Sequence, residues 1–118
     1  MSSMFDECSS LNELNISNFN TSKVRDMSSM FNECTSLITL NLSNFITQNV
    51  TNMSSMFSDC LLLKKLNLTR FETNNVTDMM YMFSYCSNLK KLDLSNSNTI
   101  VTKQCICNTF NYTENLEI

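Results

Sequence analysis

Six cysteines, two lysine pairs and no histidine are the residues with which this chain of 118 residues would have to do chemistry. Without histidine there is no side chain whose unperturbed pKa lies near 7. Acid/base, Cys–His and His–metal chemistry therefore lose their usual participant. The serines are numerous, but none has a base candidate in His or an obvious Lys. Cys105-Ile106-Cys107 could form a metal or redox pair, yet a lone Cys-x-Cys with no His and no second pair is a weak motif. The expectation is a chain with no catalytic, cofactor-binding or metal residues, and not an enzyme. Cys8, Cys34, Cys60 and Cys86 recur at a fixed step beside Met and Phe and read as buried free thiols. Parallel side chains on adjacent turns of chain rarely meet the torsion that a disulfide requires.

The lysine pairs give the best electrostatic candidate. Residues 1–60 hold Lys23 and Arg25 against Asp6, Glu7, Glu13, Asp26, Glu33 and Asp59, a net −4; residues 61–118 hold six basic and five acidic side chains, a net +1. Within the second half, Lys64, Lys65, Lys90 and Lys91 fall at equivalent places in consecutive repeats. Two stacked Lys–Lys pairs repel one another unless an anionic partner arrives. The competing reading is a sheet edge kept soluble by lysine. The overall charge of −3 argues against a nucleic-acid partner. No window approaches 18 apolar residues, so no membrane span is expected. The first residues show neither the basic nor the apolar region of a signal peptide. Eight Asn-x-Ser/Thr sequons, at Asn15, Asn20, Asn41, Asn49, Asn52, Asn67, Asn75 and Asn111, are read as products of an Asn-, Ser- and Thr-rich composition.

These residues are positioned by a repeat of 26. The step links Met4, Met30, Met56 and Met82; Phe5, Phe31, Phe57 and Phe83; the four cysteines; and Leu11, Leu37, Leu63 and Leu89. Nine apolar columns persist over three to four copies. They give repeats at 1–26, 27–52, 53–78 and 79–98, and residues 99–118 read as a degenerate fifth repeat or C-terminal cap. Met27, Met30, Phe31 and Cys34 lie at i, i+3, i+4 and i+7, which predicts a two-turn helix, with Asp26, Asn52 and Asp78 as N-caps. Leu40 and Leu42 alternate with Thr39, Asn41 and Ser43 as in a short strand. The sequence has no glycine, so left-handed turn positions are expected to fall to Asn or Asp. One such unit cannot bury its own apolar stripe; stacked copies can.

The order Leu37-Ile38-Thr39-Leu40-Asn41-Leu42 matches the leucine-rich-repeat strand signature. With Met-x-x-Met-Phe-x-x-Cys before it, the chain resembles the treponemal-type, BspA-like repeats, and more closely the variant in mycoplasma surface lipoproteins. Met27-Ser28-Ser29-Met30-Phe31 and Leu42-Ser43-Asn44-Phe45 match that variant literally. The resemblance covers residues 1 to about 98. It departs at the usual asparagine-ladder position, which is Phe here, with Asn one place earlier at Asn18, Asn44 and Asn96. The resemblance implies an α/β leucine-rich-repeat solenoid, one short strand and one short helix per repeat, with parallel strands on a concave face. It also implies a cell-surface or secreted binding scaffold that adheres to host or matrix proteins.

The expected function is a non-catalytic interaction module; the alternative is a structural spacer with no ligand of its own. Its candidate contact residues are Glu13, Asn15, Thr39, Asn41, Lys64, Lys65, Asn67, Lys90, Lys91 and Asp93, and its candidate partners are a protein or an acidic glycan. This face has no Trp, Tyr or Arg anchor, so affinity per copy is expected to be low. Repeat one offers the same apolar residues as the interior repeats, which predicts an apolar N-terminal edge open to self-association.

Overall fold

The computed structural model describes residues 1–92. Asp93, the pair Cys105 and Cys107, and the 99–118 segment read as a fifth repeat or cap lie outside them.

The segment expected to be helical is a ribbon of tight turns, and there is no helix among the described residues. In residues 27–34 alternate amides take different partners. Those of Met27, Ser29, Phe31 and Glu33 donate to the carbonyls of Asn52, Ser54, Met56 and Ser58, each 25 residues on, all at 2.9 Å. Those of Met30, Asn32 and Cys34 close back onto the carbonyls of Met27, Ser29 and Phe31 at 3.2–3.3 Å. An α-helix would send every amide to the fourth residue before it. Here half of them hold the neighbouring copy instead. Positive φ at Ser29 (52°) and Glu33 (55°) reverses the chain between turns, and the same occurs at Ser3, Glu7, Ser55, Asp59, Tyr81 and Tyr85. Eight residues are too few for a helix to sustain itself. The i, i+3, i+4, i+7 spacing puts the same four side chains on one side of this ribbon, so the spacing identified the buried residues but not the backbone.

Two further expectations change with the helix. Among the described residues the left-handed positions are taken by Ser, Glu and Tyr, with Asp59 the one residue of the expected type. Asp26, Asn52 and Asp78 have no helix to cap; their Oδ1 atoms accept the amides of Ser28, Ser54 and Met80, each at 2.9 Å, and close Asx turns. Their backbones form parallel bridges, Asp26 with Asn52 and Asn52 with Asp78.

Among the described residues, strand is confined to β1 (Thr39–Asn41) and β2 (Lys65–Asn67), paired in parallel with Thr39 opposite Lys65 and Asn41 opposite Asn67. In the first repeat the equivalent stretch is held by a bond from the Ile38 amide to the Asn12 carbonyl at 3.4 Å and forms no strand. The α/β leucine-rich-repeat solenoid, with a helix and a strand in every repeat, is thus not what this sequence builds.

What fills the interior is the repeated apolar text. Met27, Met30, Phe31, Cys34 and Leu37 are fully buried, as are Met53, Met56, Phe57, Cys60 and Leu63. Phe5, Phe31, Phe57 and Phe83 stack nearly parallel, with centroids 5.5, 5.7 and 5.6 Å apart. Offset parallel rings at this distance add about 0.5–1.5 kcal/mol per pair beyond their burial.

Candidate functional site

The paired strands and their flanks form the floor of two open grooves. One, of about 460 Å³, is lined by Thr39, Asn41, Lys64, Lys65, Asn67 and Lys91, with Leu66 and Leu68 beneath. The other, of about 540 Å³, is lined by Glu13, Leu14, Asn15, Thr39 and Asn41. Thr39 and Asn41 belong to both. The structure thus brings eight of the candidate residues onto one continuous surface, acidic at Glu13 and basic at Lys64, Lys65 and Lys91. Lys90 is exposed next to Lys91 in the chain but does not line either groove. Asp93 is outside the described residues.

The strand period explains the placement. Thr39 and Asn41 are exposed on either side of buried Leu40, and Lys65 and Asn67 flank half-buried Leu66. In-register pairing then sets Thr39 beside Lys65 and Asn41 beside Asn67, about 4.8 Å apart along the stack. The Lys64 amide donates to the Ile38 carbonyl at 2.8 Å, anchoring the backbone beneath the lysine pair.

Asparagines on this surface also hold it in shape. Asn41 Oδ1 accepts the Ser43 amide at 3.0 Å, and Asn67 Oδ1 accepts both the amide and the hydroxyl of Thr69. Asn15, Asn20 and Asn52 bind the amide two residues on in the same way. Five of the sequons are therefore Asx turns, in which the hydroxyl residue at the third place belongs to the turn. Composition alone was an insufficient account of them.

Sequence reasoning missed a column of buried threonines. Thr21, Thr47 and Thr73 are 1–2% exposed. Thr47 Oγ1 donates to the Glu72 carbonyl at 3.0 Å and accepts the Glu72 amide at 2.8 Å; Thr21 does the same with Ile46. Their spacing of 26 was available as a signal, but a polar residue in a polar stretch drew no attention. The amide side chains of Asn49, Asn75 and Asn88 likewise reach carbonyls of the preceding repeat, those of Ser22, Gln48 and Leu61.

The four described cysteines, Cys8, Cys34, Cys60 and Cys86, are free thiols. Each of three donates to a phenylalanine carbonyl one repeat back: Cys34 to Phe5, Cys60 to Phe31 and Cys86 to Phe57, at 3.0–3.2 Å. Burial pushes Cys34 up to about 11 and Cys86 to about 12, and raises Cys60 as well. Such thiols are poor nucleophiles at neutral pH. The Ser28 hydroxyl and amide hold the Asp26 carboxyl below its ordinary value. Among the described residues no group of three or more Cys, Asp or Glu could hold a metal ion, and no helix is long and apolar enough to cross a membrane.

No curated protein and no solved structure matches the chain. A family match does exist, and it spans residues 1–117, the whole repeat array with its tail. By that match the chain belongs to the family described as "Mycoplasma protein of unknown function, DUF285".

Proposed function

We propose that this chain is a non-catalytic interaction module, displayed at a cell surface or secreted, which binds host or matrix proteins or an acidic glycan. The observation that carries this reading is the lysine-rimmed groove over the paired strands. Lys64, Lys65 and Lys91 converge there with the side-chain amides of Asn41 and Asn67 and the Thr39 hydroxyl. Cations surrounded by amide and hydroxyl donors suit sulfate or carboxylate groups on an extended partner. The literal likeness of its repeat text to mycoplasma surface lipoproteins of the BspA-like type supports the surface location and the adhesive role. The high thiol pKa values and the absence of histidine from the sequence support the non-catalytic part.

The test is binding to heparin, as a sulfated glycan, and to immobilised matrix protein, at low and at high salt. Replacing Lys64, Lys65, Lys90 and Lys91 by Ser should abolish the salt-sensitive binding and leave thermal unfolding unchanged. Binding that survives both the substitutions and high salt would remove the groove as the site. No binding to either ligand would favour a structural spacer.

A further inference from the structure

The turn ribbon carries a second surface, in repeats three and four, where the repeat text breaks its own rule. Residues 61 and 62 are Leu–Leu, whereas their equivalents are Ser9–Ser10, Thr35–Ser36 and Ser87–Asn88. Residues 80 and 81 are Met–Tyr, whereas their equivalents are Ser2–Ser3, Ser28–Ser29 and Ser54–Ser55. Residue 85 is Tyr, whereas its equivalents are Glu7, Glu33 and Asp59. All five replacements exchange a small polar or acidic side chain for a large apolar or aromatic one. All five are between 39 and 44% exposed, so none joins the core.

These exchanges work against the local structure. Ser28 and Ser54 each donate their hydroxyl to the turn-closing Oδ1 atom of Asp26 or Asn52; Met80 keeps the amide bond to Asp78 but has no hydroxyl to give. Thr35 donates its hydroxyl to the Ser9 carbonyl of the preceding repeat, and Leu61, at the same position, has none to donate. Tyr81 and Tyr85 sit at φ 60° and 57°, where a bulky side chain is disfavoured.

The stack sets the two segments that carry these residues side by side. The Asp59 amide donates to the Ser84 carbonyl at 2.8 Å, next to Tyr85, and the Ser55 amide to the Met80 carbonyl at 2.8 Å. The Leu61 carbonyl accepts from the side chains of Ser87 and Asn88, just past Tyr85. The Ser84 amide closes onto the Tyr81 carbonyl at 3.0 Å, folding the chain between the tyrosines into one turn. Along the same column, toward the first repeat, lie the carboxylates of Asp59, Glu33 and Glu7, one per repeat.

We infer that the Leu61, Leu62, Met80, Tyr81 and Tyr85 patch is a docking surface for a basic, apolar polypeptide segment of a partner protein, separate from the lysine groove. Charge complementarity selects this occupant. The patch supplies exposed aromatic and aliphatic contact area of the kind that dominates protein interfaces, and the column of acidic residues leading to it attracts cationic side chains. The Tyr85 ring at the end of that column can also receive a lysine or arginine by cation–π contact.

The test uses the full chain and two 15-residue fluorescent peptides of equal charge, one alternating Lys with Leu and the other Lys with Ser. The Lys–Leu peptide should bind at least tenfold more tightly than the Lys–Ser peptide. Changing Met80→Ser, Tyr81→Ser and Tyr85→Asp restores text that sibling repeats already fold with, and should reduce the Lys–Leu peptide to the Lys–Ser level. The Lys64, Lys65, Lys90 and Lys91 to Ser variant should keep the preference for the Lys–Leu peptide. Equal binding of the two peptides, no binding of either, or undiminished binding by the reverted chain would each overturn the assignment.

Discussion

Repeat one and repeat two have nearly the same apolar text and opposite environments. Phe31, Cys34 and Leu37 are fully buried, whereas Phe5, Cys8 and Leu11 are only partly so, and Met4 is 48% exposed against none for Met30. The difference is one of neighbours. Repeat two receives amides from repeat one and gives its own to repeat three, while the carbonyls of Ser28, Met30 and Asn32 accept from Ser3, Phe5 and Glu7. In repeat one the matching carbonyls, on Ser2, Met4 and Asp6, lie on the outer side of the ladder. A residue's contribution in this protein is therefore set by how many copies flank it, and the same letter has different energetic weight at different steps.

Phenylalanine truncation gives the largest test of that comparison. Phe57 lies between two stacked rings and is fully buried, so Phe57→Ala should cost about 3–5 kcal/mol in denaturant melts. Phe5→Ala, with a stacked partner repeat on one side, should cost roughly half as much, because the area it removes from water is smaller. Equal losses would mean that repeat one is as well packed as the middle of the stack. The same argument predicts faster amide exchange in residues 1–26 than in 40–68.

The threonine column sharpens the comparison, because there repeat one is not exceptional. Thr21 and Thr47 are equally buried and make the same pair of bonds to the next repeat. Thr21→Val and Thr47→Val should each leave a partly buried amide and carbonyl without the hydroxyl they share, at a cost of about 0.5–1.5 kcal/mol. If Thr21→Val proves nearly harmless in thermal melts, the disadvantage of repeat one extends over its whole length and not only its turn segment.

What the sequence made legible follows from what a period of 26 can encode. Burial was readable, since Met27, Met30, Phe31, Cys34, Leu37, Leu40 and Leu42 are all in the core. Outward positions such as Thr39, Asn41, Lys65 and Asn67 were readable from strand alternation, and they do share a groove. The backbone of residues 27–34 was not. A helix and a ribbon of tight turns place the same four side chains inside, and only the partners of the amides distinguish them. Those partners lie 25 residues away, beyond any local pattern. The Asx turns were hidden for a different reason: Asn-x-Ser had a ready explanation in composition. The role of Thr47 was hidden because hydroxyl bridging between repeats needs a neighbour that local propensity does not contain.

Thiol chemistry gives a smaller contrast, read as a rate and a pH dependence. Cys8 is half-buried, and Cys34, Cys60 and Cys86 are buried. With a maleimide reagent near pH 8, one thiol of these four should react rapidly in the native chain, and peptide mapping should place the adduct on Cys8. The pH dependence has a definite sign. A thiol raised from 9.0 to about 11 at Cys34, or about 12 at Cys86, stays protonated in the folded chain while the unfolded chain ionises. The unfolded state then binds fewer protons, so the thiols' contribution to stability is constant below about pH 9 and falls as pH rises from 9 through 11–12. Stability that rises over that interval would contradict burial of the column.

The smallest effect concerns the left-handed turn positions. Ser3 and Ser29 share φ 52°, and their amides donate to Ser28 and Ser54 at the same 2.9 Å. A residue with a Cβ pays about 1–2 kcal/mol in this conformation, and glycine avoids that penalty but loses about 0.5–1 kcal/mol in backbone entropy. Ser29→Gly should therefore stabilise the chain by roughly 0.5–1 kcal/mol. Ser3→Gly should give less, because in the outer turn the gain in flexibility is not opposed by a repeat on its other side. A pair of chemical melts on the two variants decides it. A gain at residue 3 equal to or larger than that at residue 29 would show that backbone strain, and not the missing neighbour, is what sets repeat one apart.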